Sequence, residues 1–487
     1  MPRRCWNSVK VAAPSMASRT ISRLHRSPTR SAVRATGQVG SVHSRPVPSV
    51  VIMSHLSIGC NSKPLCPTVK RLHFATDLGG VMATGVTRSQ RFVLALVCAV
   101  AVSTIYAIQP VIEAAGAGLG LARESMGGLV AAGQIGYFAG LILLVPLGDV
   151  VNRRRLITVH LILTATGAAV AAAAPNGAVA VAGLVVAGLF AVVVQVTVAY
   201  VAAVSAPSER GRNIGAVTSG VVIGILGVRV LAGVLGDTVG WRAVYALLAV
   251  LCVTLAYIVH ATLDADRGTP GARYTQVLAS MRRLVRTDRL FLSRGLITFF
   301  LFASFGTLWT GLALPLGAEP WNFGTTQIGL FGLVGLAGAL GAARAGRWAD
   351  AGRAQLITGS ALALLTVSWL LIAQLRTTLA LLVIGIVLLD FAVQAVHVSS
   401  QHLLTAAHPD RASSVIGAYM AFYSLGSALG AITTTWAYGT WGWAASCWAG
   451  AGYSLAGLAV WGFTQIPRRT SGAQHASHPE NRLQPHG

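Results

Sequence analysis

Long apolar runs separated by short polar stretches make up most of this chain. Between about residues 88 and 465 there are twelve such runs of about 18–25 residues, the length with which an α-helix crosses a bilayer. The runs are continuous rather than alternating, and lipid requires each segment to satisfy its own backbone hydrogen bonds, so helices are predicted and strands are not. The predicted spans are 92–114, 125–147, 154–174, 177–204, 211–236, 241–262, 292–315, 326–346, 355–374, 377–403, 412–435 and 441–464.

The polar turns between these runs repeat. The turn Val145-Pro-Leu-Gly-Asp-Val-Val-Asn-Arg-Arg-Arg155 is matched by Gly346-Arg-Trp-Ala-Asp-Ala-Gly-Arg353, which places Asp149 and Asp350 201 positions apart. Three more pairs keep this interval to within one residue: Arg210 with Arg411, Ile214-Gly-Ala216 with Ile416-Gly-Ala418, and Gly240-Trp241 with Gly442-Trp443. The repeats predict an all-α membrane protein of twelve transmembrane helices in two six-helix bundles, a 6+6 parallel pseudo-repeat.

Composition agrees with a chain whose main solvent is lipid. Of its 487 residues 54% are hydrophobic and only 10% are charged, with mean hydropathy +0.65, whereas soluble domains carry roughly a quarter charged residues. The net charge of +23 could suggest a nucleic-acid-binding protein. However, residues 1–76 alone hold 12 Lys+Arg with no acid, and the other arginines lie in particular loops rather than on one basic face. Nucleic acid is therefore excluded as a partner.

Charge placement also predicts the domains and the topology. The arginines concentrate in the tails and in the even-to-odd connections, and the opposite side receives only Arg123, Arg242 and Arg376. By the positive-inside rule both termini are predicted to be cytoplasmic in a multi-pass plasma-membrane protein. The predicted domains are a disordered basic extension (1–86), an N-terminal bundle (87–262), a cytoplasmic linker (263–291), a C-terminal bundle (292–465) and a cytoplasmic tail (466–487).

The extension leaves two alternatives open. It lacks acids, as organellar transit peptides do, so a targeting role is the alternative to a disordered segment. Met82 stands just before the first span and offers a second possible start.

Missing motifs exclude several classes of enzyme. The chain has no HExxH or GxSxG motif, and residues 82–487 contain no lysine for a Walker A loop. Its six cysteines form no CxxC pair, and no His/Cys cluster has metal-ligand spacing. We therefore expect no enzyme, no cofactor and no metal, and active transport would draw on an ion gradient.

The duplicated turn, the 6+6 layout and the long middle loop resemble the major facilitator superfamily over about residues 88–465. Five segments resemble its bacterial proton-coupled efflux branch, usually described as drug or sugar efflux permeases: Tyr106-Ala-Ile-Gln-Pro110, Gln134-Ile-Gly-Tyr-Phe-Ala-Gly140, Val145-Pro-Leu-Gly-Asp149, Leu389-Asp-Phe-Ala-Val-Gln394 and Gly240-Trp-Arg-Ala-Val-Tyr245. The resemblance implies secondary active transport by two bundles that rock about a central site.

The family signature between spans two and three is Gly-x-x-x-Asp-Arg-x-Gly-Arg-Arg. Here Asp149, Arg153 and Arg154 match it, while Val145 and Val150 replace the glycine and the first arginine. The second copy keeps Gly346, Asp350 and Arg353. The resemblance implies that these residues form a latch that favours one access state; the alternative is that the arginines only mark the inner face.

Arg229 is the strongest anomaly in the apolar runs. It lies well inside the fifth span, where insertion scales place the cost of an arginine at about 2.5–3.5 kcal/mol, so it should face a polar cavity or a partner. The alternative is an arginine that extends to the outer surface. The proline of the family's antiporter motif is missing, since Val228 follows Gly227.

Asp390 is the acid nearest the centre of any span. Gln394, His397 and Gln401 follow it at steps of four, three and four, so the four side chains share one helix face within about 60°. A group that gains and loses protons during transport needs such titratable chemistry. The alternative is a polar stripe that joins helices by hydrogen bonds. Further candidate cavity residues are Gln109, Gln134, Tyr137, Trp309 and Tyr423.

The sequence thus predicts a monomeric secondary transporter, surrounded by membrane lipid, that exports a small organic molecule by proton antiport. A proton-symport uptake permease and a membrane sensor or scaffold that moves nothing are the alternatives.

Overall fold

The computed structural model describes residues 86–206, 208–264, 274–341, 353–408 and 412–465. The predicted N-terminal extension (up to residue 85), most of the second polar turn and the C-terminal tail lie outside the described residues, as do residues 265–273 of the linker.

The described residues form sixteen α-helices joined by short turns and a few 3-10 turns. In chain order they are α1 (Arg88–Tyr106), α2 (Ile112–Gly118), α3 (Gly127–Leu143), α4 (Arg153–Ala172), α5 (Gly177–Phe190), α6 (Val193–Val204), α7 (Arg210–Thr238), α8 (Trp241–Thr262), α9 (Tyr274–Thr287), α10 (Arg289–Gly311), α11 (Ala313–Gly317), α12 (Thr325–Gly341), α13 (Ala354–Ile372), α14 (Leu379–Ala407), α15 (Ala412–Trp441) and α16 (Trp443–Gln465).

The prediction of an all-helical membrane protein is confirmed. Within the described residues, ten helices are long and apolar enough to cross a membrane. The other two predicted spans coincide with α12, whose apolar stretch is shorter, and with α16, which is not among the ten. A helix therefore overlies every predicted apolar run, and the count of twelve crossings stays a prediction.

Polar residues fix where several of these helices begin. Asn152, Asn176, Asp288 and Thr378 each accept a hydrogen bond from a backbone N–H in the first turn of the helix that follows. Thr87 does the same for α1 and forms a reciprocal capping box with Gln90. Since the first N–H groups of a helix have no partner within it, these side chains place the helix starts at the predicted polar turns.

The N-terminal helices (α1–α8) and the C-terminal helices (α10–α16) show matching packing partners. In the first group α1 packs against α7 and α4 against α8; in the second α10 packs against α15 and α13 against α16. Gly240 and Gly442, which precede α8 and α16, have positive φ angles of 103° and 77°. A residue with a side chain is strained there, so glycine is required at both matching turns.

Paired glycines allow two of these contacts to be unusually close. Gly220 and Gly224 on α7 lie against the backbone of α1, at the carbonyl groups of Ala95 and Ala99. In the C-terminal helices Gly426 and Gly430 on α15 lie in the same way against α10. Small residues let helices approach to backbone contact, which is a main source of helix association in lipid.

The two groups of helices touch each other at one end. We call the end at which α1, α4 and α7 begin the inner end, and the opposite end the outer end. At the outer end, α7 packs against α12 and α3 against α15. The backbone N–H of Gly127, at the start of α3, donates to Thr435 Oγ1 on α15 over 3.1 Å. These contacts close the outer end of the interface.

The junction of α9, α10 and α14 at the inner end contains a contact between a carboxylate and a histidine. Asp288 caps α10 by accepting from Phe291 N–H at 2.8 Å, and its other oxygen lies 2.7 Å from His408 Nε2. Burial alone would raise the pKa of Asp288, but the hydrogen bonds from Phe291 and His408 outweigh it and hold that pKa below its usual value. The pair ties the start of α10 to the end of α14.

The close contact at Gly426 yields a stability prediction. A valine there would place its Cβ against the Phe299 carbonyl oxygen on the facing helix, so we expect Gly426→Val to lower stability by roughly 1–3 kcal/mol or more. Thermal unfolding of the detergent-purified protein measures this loss. Gly452→Val on α16 is the matched control, because nothing lies within 4 Å of the Cβ position there. Equal melting temperatures for the two variants would contradict the close contact.

The pKa of Asp288 predicts a pH dependence. Because its folded-state pKa is depressed, the carboxylate contributes stability above the ordinary Asp value of about 3.9, and the contribution is lost as pH falls through the lower folded-state pKa. We expect wild type to melt above Asp288→Ala near neutral pH and the difference to shrink as the pH falls below about 4. Glu209→Ala, which removes an exposed carboxylate, is the control. A difference that grows as the pH falls below about 4 would contradict the assignment.

Candidate functional site

A cavity of about 600 Å³ lies between the two groups of helices. Its lining includes exposed residues near the inner end of α7, such as Gly215 and Ser219, so the cavity opens inward. Five predicted site residues line it together: Asp390, Gln394, His397 and Gln401 on α14, and Tyr423 on α15. Tyr137 joins them from α3. The polar face predicted for α14 is therefore a cavity wall.

Arg229 lies beside this cavity, against the rings of Tyr106 and Phe305 that line it, with only 2% of its surface exposed. Its Nη2 donates to Gln109 Oε1 over 3.0 Å, while among the described residues its Nε has no hydrogen-bond partner and the side chain forms no ion pair. The guanidinium lies 3.9 Å from the ring centre of Trp309 and 5.8 Å from those of Tyr106 and Phe305. Ring faces attract a cation, and the attraction is largest where water is excluded.

Trp309 connects this arginine to the buried acid. One face of its indole ring receives Arg229, and its indole N–H donates to Asp390 Oδ1 over 3.3 Å. Arg229 belongs to the N-terminal helices, whereas Trp309 and Asp390 lie on α10 and α14. The three side chains therefore link the two groups of helices through one aromatic ring.

Glycines on α12 make room for these three side chains. A Cβ added to Gly335 would lie 2.7 Å from Asp390 Oδ2 and 2.8 Å from the Trp309 ring, and one added to Gly332 would lie 3.1 Å from Arg229 Cβ. Gly338 faces Asp390 in the same way. The glycine run of the eighth predicted span is thus a smooth surface that covers the charged cluster.

His397 is held in a chain of hydrogen bonds further toward the inner end. Its Nδ1 lies 3.0 Å from Tyr419 Oη, and its Nε2 lies 3.0 Å from Gln401 Nε2. Thr298 Oγ1 donates to the same tyrosine hydroxyl. In the tautomer that accepts from the Gln401 amide at Nε2, the ring N–H is on Nδ1 and points to Tyr419 Oη. His397 also meets Phe302 edge-on, with ring centres 5.3 Å apart.

The remaining predicted residues occupy the interface near the cavity. Gln134 is fully buried, and Ser424 Oγ on α15 donates to its backbone carbonyl over 2.5 Å. Tyr137 Oη accepts from Gln195 Nε2 over 3.3 Å. Tyr423 packs edge-on against Phe302, with ring centres 4.0 Å apart. Gln134 and Gln109 thus lie beyond the cavity in the closed outer half, whereas Tyr137 and Tyr423 line its wall.

The predicted latch is only partly described. Asp149 belongs to a 3-10 turn that joins α3 to α4, but its side chain lies outside the description, as do Gly346 and Asp350. Arg154 Nη1 donates to the carbonyl of Leu263 at the end of α8, within the N-terminal helices. Arg153 is buried, and Arg353 directly precedes α13. The latch stays a prediction.

Sequence reasoning missed part of the cavity wall. Gln195 is a polar residue inside the apolar run of α6, a signal of the same kind as Arg229. Phe302, Phe305 and Met420 also line the cavity but lie among other apolar residues. Nothing in their sequence context distinguishes them from residues that face lipid.

Three comparisons with known proteins agree with this architecture. The sequence model of the Major Facilitator Superfamily matches residues 92–430 and again 295–485. The YgaY transporter of Escherichia coli (strain K12) is 38% identical over 370 residues, which cover 76% of this chain and 93% of that protein. SCO4007 of Streptomyces coelicolor, named a probable transporter, is 34% identical over 356 residues, 72% of this chain and 81% of that protein.

A solved structure shows the same fold. The crystal structure of a bacterial homologue of the human lysosomal transporter Spinster, in an inward-facing and unoccupied conformation, superposes with a TM-score of 0.59 at 16% identity. The match covers 77% of this chain and 93% of that one.

The contacts of Trp309 predict a specific loss of stability. Trp309→Phe removes the indole N–H that Asp390 accepts and weakens the ring's attraction for Arg229, so we expect it to cost roughly 1–2 kcal/mol. Thermal unfolding in detergent measures the change. Trp448→Phe is the control, since that tryptophan is 77% exposed on α16. Equal effects at the two positions would show that the link through Trp309 contributes nothing.

Proposed function

This chain belongs to the Major Facilitator Superfamily and is a multi-pass membrane transporter, and we propose that it exports a small organic molecule in exchange for protons. The two described groups of helices would be the two six-helix bundles of a twelve-span protein, in the plasma membrane of a bacterium. The arginine distribution supports cytoplasmic termini, so the cavity would open to the cytoplasm.

The position of Asp390 carries the proposal. This carboxyl group lines the cavity, yet only 3% of the residue is exposed. Its Oδ1 accepts one hydrogen bond from Trp309, and its Oδ2 has no hydrogen-bond partner among the described residues. A buried carboxylate with an unsatisfied oxygen is costly unless a positive charge or a proton offsets it. Asp390 can therefore exchange a proton with the cavity.

Arg229 links the protonation of Asp390 to the arrangement of the two helix groups. The ionised Asp390 attracts Arg229, and the two residues lie on different sides of the interface between the helix groups. Protonation removes this attraction, which is strong where little water is present. It therefore changes the relative free energies of the inward-open and outward-open arrangements, as coupling to a proton gradient requires.

The cavity supports a small organic substrate. Its volume of about 600 Å³ lies within the usual range for small-molecule sites. Its wall combines aromatic rings, including Tyr137, Phe302 and Tyr423, with the polar groups of Gln394 and Gln401. Such a wall can enclose an apolar body while a few polar groups orient it. The turn with Asp149 and Arg153–Arg155 would control the access state from the inner end.

A compound screen tests the exchange directly. Inside-out vesicles that contain the protein are energised to an acidic lumen, and a panel of small organic compounds is added while a dye reports the lumenal pH. An exported compound enters the lumen and releases protons, so the lumenal pH rises. A protonophore abolishes the signal, and vesicles without the protein give none.

The alternatives give different results in the same vesicles. A compound that binds the purified protein but produces neither flux nor a change in lumenal pH would favour a sensor. A compound whose outward movement from the lumen carries protons with it would favour symport.

The role of Asp390 predicts the outcome of its substitution. Asp390→Asn cannot release a proton, so we expect proton-driven accumulation of any compound found in the screen to fall at least tenfold. Glu209→Gln, which neutralises an exposed carboxylate that pairs with Arg212, should leave it unchanged. Accumulation by Asp390→Asn against the substrate gradient at the wild-type rate would remove Asp390 from the coupling mechanism.

A further inference from the structure

The outer contact between α7 and α12 is built around one carboxylate. Asp237 lies in the last turn of α7, and its Oδ1 accepts from the backbone N–H of Thr325 over 2.9 Å and from Thr325 Oγ1 over 2.7 Å. Its Oδ2 accepts from the N–H of Thr326 over 2.7 Å. Thr325 and Thr326 are the first two residues of α12.

Helix α12 has no side-chain cap of its own at this position. The residue that precedes it is Gly324, which has no oxygen to offer to the free N–H groups of the first turn. The Gly324 N–H donates to Gln327 Oε1 over 2.8 Å, which is one half of a capping box. The other half comes from Asp237 on a different helix. A carboxylate at a helix N-terminus satisfies the N–H groups and also interacts favourably with the helix dipole.

The backbones of the two helices meet at the same place. The Gly233 carbonyl oxygen lies 2.7 Å from Thr325 Oγ1, so the single proton of this hydroxyl is shared between that carbonyl and Asp237 Oδ1. A Cβ at Gly233 would touch the Thr325 carbonyl, and one at Gly329 would touch the Arg229 carbonyl. Because the two backbones are in contact here, α7 cannot move away from α12 without breaking all the hydrogen bonds of Asp237 at once.

We propose that Asp237 is a gating residue that holds the outer end closed by capping α12 from the opposite group of helices. The proposal rests on the alternating access of the proposed function. Asp237 touches neither the cavity nor the Arg229–Trp309–Asp390 link; it acts on the equilibrium between access states. When the outer end opens, α12 loses its cap, so the cap stabilises the inward-open state alone.

Asp237→Ala tests the proposal, with two companion variants. We expect loss of this N-cap to shift the equilibrium between the closed and the open outer end by roughly fivefold. Thr238→Ala is the matched control, because that hydroxyl donates only within its own helix, to Val234 at 2.8 Å. The double variant Asp237→Ala/Gly324→Ser restores a cap to α12 from its own chain segment but not the contact between the helix groups. The three atoms nearest to a Cβ at Gly324 all belong to the Asp237 carboxylate, which the alanine removes.

Distances between the outer ends measure the gate. Spin labels at Ala178 and Thr377, which are exposed at the outer ends of α5 and α14, are placed in the full-length protein with its native cysteines replaced. Pulsed electron paramagnetic resonance in nanodiscs then gives the fractions of short and long distances. We expect Asp237→Ala to raise the ratio of long to short distances roughly fivefold, Thr238→Ala to match wild type, and the double variant to stay shifted.

Two results would overturn the gate. One is a distance distribution for Asp237→Ala that equals that of Thr238→Ala. The other is a return to the wild-type distribution in the double variant, which would mean that Asp237 only stabilises α12. The proposed export function is tested separately. If vesicles with the wild-type protein exchange no compound for protons, proton-coupled export is wrong, but the distance comparison still decides the role of Asp237.

Discussion

A guanidinium inside a membrane protein has to be surrounded by groups that replace water. Around Arg229 this is achieved with one amide oxygen from Gln109 and three aromatic rings, one of which, Trp309, also donates to the carboxylate of Asp390. The arrangement requires the N-terminal and C-terminal helices to be closed together at their outer ends, because its members come from both groups. The enclosure of one charge thus determines where the helix groups touch and where the cavity ends.

Glycine is what makes this enclosure possible. Helix α12 passes directly over the Arg229–Trp309–Asp390 cluster, and Gly332, Gly335 and Gly338 occupy the positions where side chains would collide with it. The glycine pairs on α7 and α15 likewise allow close helix contacts within each group of helices. Because lipid offers no hydrophobic force between helices, backbone contact supplies much of their attraction. The glycines that bring the helices together therefore also shape the site.

Hydropathy and charge alone predicted a large part of this molecule. The apolar runs located the helices, and the rarity of charge inside them identified Arg229 and Asp390, which lie close to one ring. The spacing of Gln394 and His397 predicted one shared helix face, and both residues line the cavity. Periodicity could not reveal that the Trp309 ring lies between the two charges, since that depends on how separate helices face each other. Asp237 escaped notice because an acid at a helix end is ordinary in sequence; only the fold shows that it caps another helix.

The charged cluster and the cavity wall tolerate change to different degrees, and this difference bears on how specificity could change in evolution. At the glycines of α12 a single added methyl group meets Arg229, Trp309 or Asp390, so those positions tolerate almost no variation. The cavity wall includes Phe302, Ile416 and Met420, and larger or smaller apolar side chains at these positions would change the shape of the cavity itself. Descendants of this protein could therefore acquire new cargo by remodelling the cavity wall while the charged cluster is inherited intact.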